Sequence, residues 1–412
     1  MAALGRRLER RGHEFTIFGI ADSEPVVRAA GIRFGLIGEK DYPPGTLQKL
    51  DLRLSELKGF ASSRFTLERI RDTARMVLRD GPAAALEARV EGLLVDEADF
   101  GGSVADYLRI PFVSVALIPP MVPDNRFPPF YFQWKAGEDL FTRVRNQIAI
   151  SFLTQLASPI FKVVNSQRVE WGLEPFKKSK EALSPLAQVA QMPRAFDFDI
   201  EPMPEGLHHA GPFVDAQQRR AIDFDWSRLD GRPLIYASLG TLQNGMEGLF
   251  RTIAKACAGL DVQLVMSLGG GMEPEALGPL EGNAVVVRFA PQLELLKRAT
   301  VVITHGGINT VLESLSEGIP MVVMPLGNDQ PGVAARVDAH GVGTVLSSHP
   351  VRAEKLRKAV KAVLEDGKYR AAARKMQLAM SQVDGLDVAA DMIESAFGIG
   401  ERAKPLAQAA SL

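Results

Sequence analysis

Residues Phe289 to Gln330 read FAPQLELLKRATVVITHGGINTVLESLSEGIPMVVMPLGNDQ, and this stretch decides the fold. The run Val301-Val302-Ile303-Thr304 is short, apolar and β-branched, the pattern of a parallel strand buried on both faces. It ends in His305-Gly306-Gly307 and passes straight into the amphipathic helical pattern INTVLESLSEG. Glycines at such a turn let the backbone approach a ligand closely. The new helix directs free N–H groups and a positive dipole end at whatever sits there, so the turn is an anion site. His305 can add a hydrogen bond or a positive charge. Asn309 and Thr310 supply short donors in the first turn, and Glu313, one turn further on the same face, suits a ribose diol. A second apolar run, PMVVMPL, then delivers Asp329 and Gln330 beyond its carboxyl end, where open α/β sheets bind ligands.

Outward from this stretch, strand and helix patterns alternate along the whole chain. EFTIFGI, IRFGLIG, GLLVD, PFVSVAL, AQVAQM and LHHAGPF read as strands in the first half. PLIYASLG, VQLVMSLG, AVVVRFA, VVITHGG, PMVVMPL and GVGTVLS read as strands in the second. Such alternation implies parallel sheets with right-handed crossovers. With 412 residues the chain has room for two domains. Polar and Gly/Pro punctuation places a linker at 213–232. A first domain then covers 1–212, a second 233–385, and a C-terminal helix and tail 386–412, of which AKPLAQAASL reads as frayed.

Composition narrows the class. A hydrophobic content of 46% and a charged content of 24% are those of a globular protein. A net charge of −1 gives no electrostatic case for nucleic acid. Cys257 is the single cysteine, which rules out an intrachain disulfide or a cysteine metal cluster, and its helical apolar setting reads as core. No uninterrupted apolar run reaches the roughly 18 residues of a spanning helix, and the start, MAALGRRLERRGH, lacks a signal-peptide pattern. A cytoplasmic location is the expectation.

The motifs resemble the nucleotide-sugar signature of the family 1 glycosyltransferases, the UDP-glycosyltransferases of GT-B fold. Phe289-Ala290-Pro291-Gln292 is similar to the motif's opening aromatic-x-Pro-Gln. His305, Gly307, Asn309, Thr310 and Glu313 follow its histidine-glycine helix start, Gly318-Ile319-Pro320 its Gly-Val-Pro turn, and Asp329-Gln330 its closing acid-glutamine pair. Tyr236 to Thr241, YASLGT, looks like the family's Ser-Leu-Gly-Thr phosphate loop, and Asp329 to Arg336 is most similar to the zeaxanthin glucosyltransferase branch. The resemblance implies two doubly wound, Rossmann-like domains facing across a cleft. It implies an inverting hexosyl transfer, glucose from UDP-glucose, with the nucleotide sugar as co-substrate, no other cofactor and no metal. Donor contacts are expected from Ser238, Thr241, Phe289, Gln292, His305, Gly307, Asn309, Thr310, Glu313, Asp329 and Gln330. Phe289, where the family commonly has tryptophan, is expected to stack on the base, Gln292 to reach a base edge, and Ile308 to contribute its backbone alone.

Transfer also needs a group to take the acceptor's proton. In the family this is a histidine in a Gly-His-x-x-Pro loop after the first strand. This chain opens on a helical pattern, and Met1 to Gly5 look like the residues just after that loop. The expectation is therefore that the first strand and the general-base histidine are missing, through a late start site or a truncation. Asp96, closing GLLVD, is the catalytic candidate left, as an acid of the kind that orients such a histidine, with Asp99 competing. His13, at a helix-to-strand turn, and His208-His209 read as structural. Asp197-Phe198-Asp199 and Asp223-Phe224-Asp225 mimic a metal-binding DxD by chance. The apolar, aromatic stretch 111–164 has the character of a pocket lining, so a small lipophilic acceptor is expected, a carotenoid or other secondary metabolite, with peripheral membrane contact. Two alternatives share the pattern: a donor-binding protein without its base, and a UDP-GlcNAc 2-epimerase-like enzyme.

Overall fold

The computed structural model describes residues 1–57, 59–122, 124–215, 222–240, 246–347 and 350–399. In the first half lie β1 (Thr16–Gly19), β2 (Arg33–Leu36), β3 (Leu93–Asp96), β4 (Phe112–Ala116), β5 (Gln188–Ala190) and β6 (Leu207–His209). In the second lie β7 (Leu234–Ser238), β8 (Gln263–Ser267), β9 (Val285–Val287), β10 (Ala299–Thr304), β11 (Met321–Val323) and β12 (Gly343–Val345). Each overlaps a stretch read above as a strand, and every pairing among the described residues is parallel. The tail read as frayed falls in 400–412, outside the described residues.

The second-half sheet has the order β12-β11-β10-β7-β8-β9. Its central strands alternate between two apolar clusters, one on each face. Leu234 and Tyr236 of β7 and Val302 of β10 join one cluster, while Ile235, Ala237, Val301 and Ile303 join the other. That period-two division is why these strands read as continuous apolar runs and not as alternating ones. All strands being parallel, their carboxyl ends share one edge, and the turns leaving β7, β10 and β11 meet there.

The first half is built less evenly. One sheet runs β3-β4-β5-β6, and a separate ladder joins β1 to β2. Among the described residues no ladder links β1 to β3, so each has one hydrogen-bonded neighbour. β4 is buried along its length, whereas every residue of β1 is partly exposed. The helix Gly385–Ala396 returns to this half. Its Leu386, Ala389, Ala390 and Ile393 pack with Leu4 and Leu8 of the helix Ala2–Arg10 and with Val113, Val115 and Val189. Arg11 bridges Asp387, Asp391 and Glu394, and His13 bonds Glu394 at 2.8 Å. His13 is thus structural, as expected.

A buried ion pair joins the halves. Asp197, after β5, accepts from Arg336 Nε at 2.9 Å, and Arg336 Nη2 lies 2.7 Å from the same oxygen. Arg336 belongs to the helix Gln330–Ala339 of the second half; its guanidinium lies 4.4 Å from the Phe198 ring centroid, and both ion-pair partners are buried. Burial would push the Asp197 carboxyl up, but Arg336 and His209, 3.3 Å away, outweigh it and hold it far below the usual carboxylate range. His340 Nε2 meets the Asp197 carbonyl at 2.9 Å. Nearby, Gly332 N–H donates to Phe130 O at 2.8 Å, and a Cβ at Gly332 would stand 2.6 Å from that oxygen.

Arg336→Ala strands a buried carboxylate and is expected to cost about 3–5 kcal/mol, read from urea midpoints. Replacing both partners with apolar residues, Asp197→Leu with Arg336→Met, should cost much less. A double variant as unstable as the single one would show that the pair itself, not the orphaned charge, sets the loss. Because the Asp197 pKa is depressed, the stabilisation is present above the ordinary carboxylate pKa and lost in acid.

Candidate active site

Ser238 ends β7 and Thr304 ends β10, paired in register at the carboxyl edge of the second sheet. The next residue, His305, is held between two glycines. A Cβ at Gly240, where φ is +77°, would lie 2.8 Å from His305 Cε1, and a Cβ at Gly307 would come equally close. Only glycine lets both turns reach the ring. Burial pulls the imidazole down to about 4, against a hydrogen bond to the Ser238 backbone that raises it. Burial thus favours the neutral imidazole at pH 7, and a neutral ring can still donate or accept a hydrogen bond. Thr304 Oγ1 stands 3.4 Å from His305 Nδ1 and accepts from Gly306 N–H at 3.2 Å.

The helix Ile308–Ser316 starts immediately, with Gly307 as its N-cap and no side chain capping it. Its first N–H groups therefore face the turn. Ile308 is buried in the core, which leaves its backbone as the part available there, as expected. Asn309 is exposed, and Thr310 and Glu313 are buried. Glu313 Oε2 accepts from Gln292 Nε2 at 2.6 Å, and Tyr236 O–H donates to Gln292 Oε1 at 3.0 Å. The Gln292 amide therefore bridges Tyr236 and Glu313, a contact the base-edge expectation did not include. Tyr236 heads the YASLGT segment, but the bond of its hydroxyl to Gln292 was not legible, because the residue occupies an ordinary core position of β7.

Phe289 is half exposed, not core, with its ring against Gly270 and the Arg288 guanidinium 5.6 Å from its centroid. An aromatic ring exposed in this way has a face available for stacking. Past β11, Gln330 Oε1 accepts from the N–H groups of Leu326 at 2.7 Å and Gly327 at 3.0 Å. Burial pushes the Asp329 carboxyl up to about 6. The Tyr131 hydroxyl, from the first half, is pushed up by burial and by the charge of Asp329, so the two halves meet at this residue. Thr241 lies outside the described residues.

On the first-half side, Asp96 ends β3. Its Oδ1 accepts from Ala98 N–H at 2.9 Å, and burial raises its pKa. Burial also pushes Glu97 up to about 7, against hydrogen bonds from Met121 N–H and Gln188 Nε2, and Asp99 up to about 6. Three carboxyls thus have raised proton affinity within four residues at one strand end. Glu97 escaped the sequence reading because it points into the interior, where a glutamate is not expected. No histidine is bonded to Asp96 among the described residues.

The remaining sequence candidates fall elsewhere. Asp197 is engaged with Arg336, while Asp199 is fully exposed and 3.8 Å from Arg194, so the two carboxylates do not converge. Asp225 caps a short turn by accepting from Ser227 N–H at 3.1 Å. His209 Nδ1 meets Met192 O at 2.9 Å, a structural contact. Cys257 is buried and its thiol pushed up to about 12. Among the described residues no three His, Cys, Asp or Glu side chains form a metal-binding group.

Residues 140–394 match the family described as UDP-glucoronosyl and UDP-glucosyl transferase. The chain is 30% identical to a zeaxanthin glucosyltransferase of Pantoea ananas, over 97% of its own length and 93% of the relative's. Among solved structures, it superposes on the glycotransferase of kitacinnamycin with a TM-score of 0.72 and 24% identity, over 96% of this chain and 94% of that one. The glycosyltransferase VinC, solved in complex with DTDP, gives a TM-score of 0.67 at 18% identity, over 96% of this chain and 95% of that one. These structural likenesses establish the two-domain GT-B fold.

Two titrations check the site. Glu313→Ala should weaken UDP and UDP-sugar alike, and Gln330→Ala the sugar nucleotide alone, by roughly 1.5–3 kcal/mol for one hydrogen bond to a charged group. Calorimetry showing equal losses for both ligands in Gln330→Ala would contradict the assignment. Asp329 is charged above about pH 6 and neutral below it. Nucleotide-sugar affinity should fall as the pH drops through that value, and Asp329→Asn should flatten the profile.

Proposed function

For a chain that belongs to the UDP-glucoronosyl and UDP-glucosyl transferase family, and is a glycosyltransferase acting from a nucleotide sugar, we propose a finer reading. It transfers glucose from UDP-glucose, with inversion, to a hydroxyl of a small lipophilic acceptor of the carotenoid or secondary-metabolite kind. The observation that carries the donor half is the turn after β10. Uncapped helix N–H groups and the His305 ring lie there, Gln330 packs beside Gly306, and Glu313 is buried one turn further along the helix. The family description and the name of the Pantoea relative support UDP and glucose; the VinC complex keeps dTDP as the competing donor.

The chemistry follows from the arrangement. The acceptor oxygen attacks the anomeric carbon as the bond to the diphosphate breaks, in line and on opposite faces. The negative charge that leaves on the diphosphate meets the start of the helix Ile308–Ser316 and a neutral donor in His305. Glu313 is aligned for the ribose by Gln292, and Asp329 with Gln330 for sugar hydroxyls. The acceptor's proton goes to a carboxylate at the end of β3. Asp96 is assigned that role, since it closes β3 and burial has raised its proton affinity.

A panel of lipophilic and hydrophilic alcohols offered with UDP-glucose and dTDP-glucose is the direct test. Transfer confined to sugars or peptides would overturn the acceptor class. Asp96→Asn should lower kcat by about 10²–10⁴ while leaving UDP binding unchanged; an unaltered kcat would remove Asp96 from the reaction. Chelator in excess is expected to leave the rate unchanged, because backbone N–H groups and His305 already face the diphosphate. Activity that disappears with chelator and returns with magnesium or manganese would refute that.

A further inference from the structure

The helix Leu140–Glu170 has two unlike sides. One packs on the helix Gly59–Glu87, with Ile160 and Val164 in a cluster with Ala74, Val77 and Leu78. The other is bare: Leu140, Phe141, Ile148 and Phe152 are 78%, 75%, 65% and 62% exposed. With Val144 they fall within an arc of about 120° at 3.6 residues per turn. Beside this stripe Phe132 and Trp134 stack at 4.2 Å, and the two surfaces enclose an apolar groove of about 430 Å³. Aromatic residues exposed in such a contiguous patch mark an interaction surface. By length and composition the helix could cross a bilayer. That revises the expectation from uninterrupted apolar runs. Its packed side carries the buried Asn146, which fits a helix lying on a bilayer and not through one.

The charges say what covers the stripe. Arg145 borders it on one side, its guanidinium 4.7 Å from the Trp134 ring centroid, and Arg143 borders it on the other. From Leu140 to Val169 the chain has Arg143, Arg145, Lys162 and Arg168 but no Asp or Glu. Arg168 is paired with Asp106, and the two acids just upstream are engaged, Asp139 with Thr142 and Glu138 3.7 Å from Arg126. An apolar stripe between arginines suits an interfacial helix whose cations reach lipid phosphates. A second copy fits poorly, because a two-fold contact would set like charges against each other. The loop beside the groove also touches the second half. Phe130 O accepts from Gly332 N–H and Gln133 Oε1 from Ser347 Oγ, while Phe132 and Trp134 line the groove.

We propose that this face docks on an anionic lipid bilayer, from which a lipophilic acceptor passes along the groove to the cleft. The purpose rests on the acceptor class proposed above, but the docking can be measured without any transfer. The full chain should co-sediment with vesicles of phosphatidylcholine and phosphatidylglycerol, and less with phosphatidylcholine alone. Phe141→Glu with Phe152→Glu should reduce the vesicle-bound fraction about tenfold or more. Arg143→Glu with Arg145→Glu should abolish the preference for phosphatidylglycerol. UDP-glucose affinity should be unchanged in both, which shows that the variants fold. Absence of wild-type binding to either vesicle, or undiminished binding by the phenylalanine variant, would overturn the proposal. So would light scattering that finds a wild-type dimer and a monomeric phenylalanine variant, since a second copy would then cover the face.

Discussion

The pairing of Arg336 with Asp197 sets the relation between the two halves, and the cleft depends on it. Arg336 lies in the same helix that begins at Gln330, and its Nη1 donates to Gly332 O at 3.0 Å within that helix. Asp197 stands in the first half, anchored through His209 and Met192. A rigid helix therefore carries the position of Asp197 to Gln330 at its start. An ion pair so deeply buried contributes little net stability compared with an apolar contact. What it contributes is geometry: a guanidinium fork accepts one arrangement of its carboxylate, where an apolar contact could slide.

The remaining architecture follows from parallel strands. Their carboxyl ends share one edge, so turns far apart in sequence become neighbours: Gly240 after β7, His305 after β10 and Asp329 after β11. Two glycines give the backbone room to enclose the His305 ring, and enclosure then determines its charge. A cation at that point would have been the simplest answer to a diphosphate. Burial favours the neutral ring, and the helix N-terminus with its fixed N–H groups is then the more dependable positive element. Fixed dipoles need no reorganisation when charge develops, which is the property a leaving group rewards.

Much of this was legible in the sequence because it is local. All the strands appear as apolar runs, and the donor turn appears as one continuous segment whose residue types match its ligand's parts. What was not legible is non-local or depends on solvent. Asp197 reads as half of a metal motif until the fold brings Arg336 to it. Gln292 reads as a base contact until Tyr236 and Glu313 close around its amide. Tyr236 looks like a plain core residue, yet its hydroxyl reaches into the site; Glu97 looks like a surface residue, yet it is buried. The C-terminal helix appears from sequence as an appendix to the second half, yet Leu386 and Ile393 complete the core of the first. The exposed side of the helix Leu140–Glu170 was equally hidden, since periodicity marks an apolar stripe but not whether anything covers it.

The first half has electrostatics of its own. Asp96, Glu97 and Asp99 are all desolvated within a few residues, and each holds its proton more tightly than a solvated carboxyl. A base with raised proton affinity suits a lipophilic alcohol, because an acceptor without a hydration shell brings no water to share its proton. The same dryness that favours an apolar acceptor thus tunes the groups that would deprotonate it. An apolar route to this edge, along Phe132 and Trp134, would keep it dry while the acceptor enters.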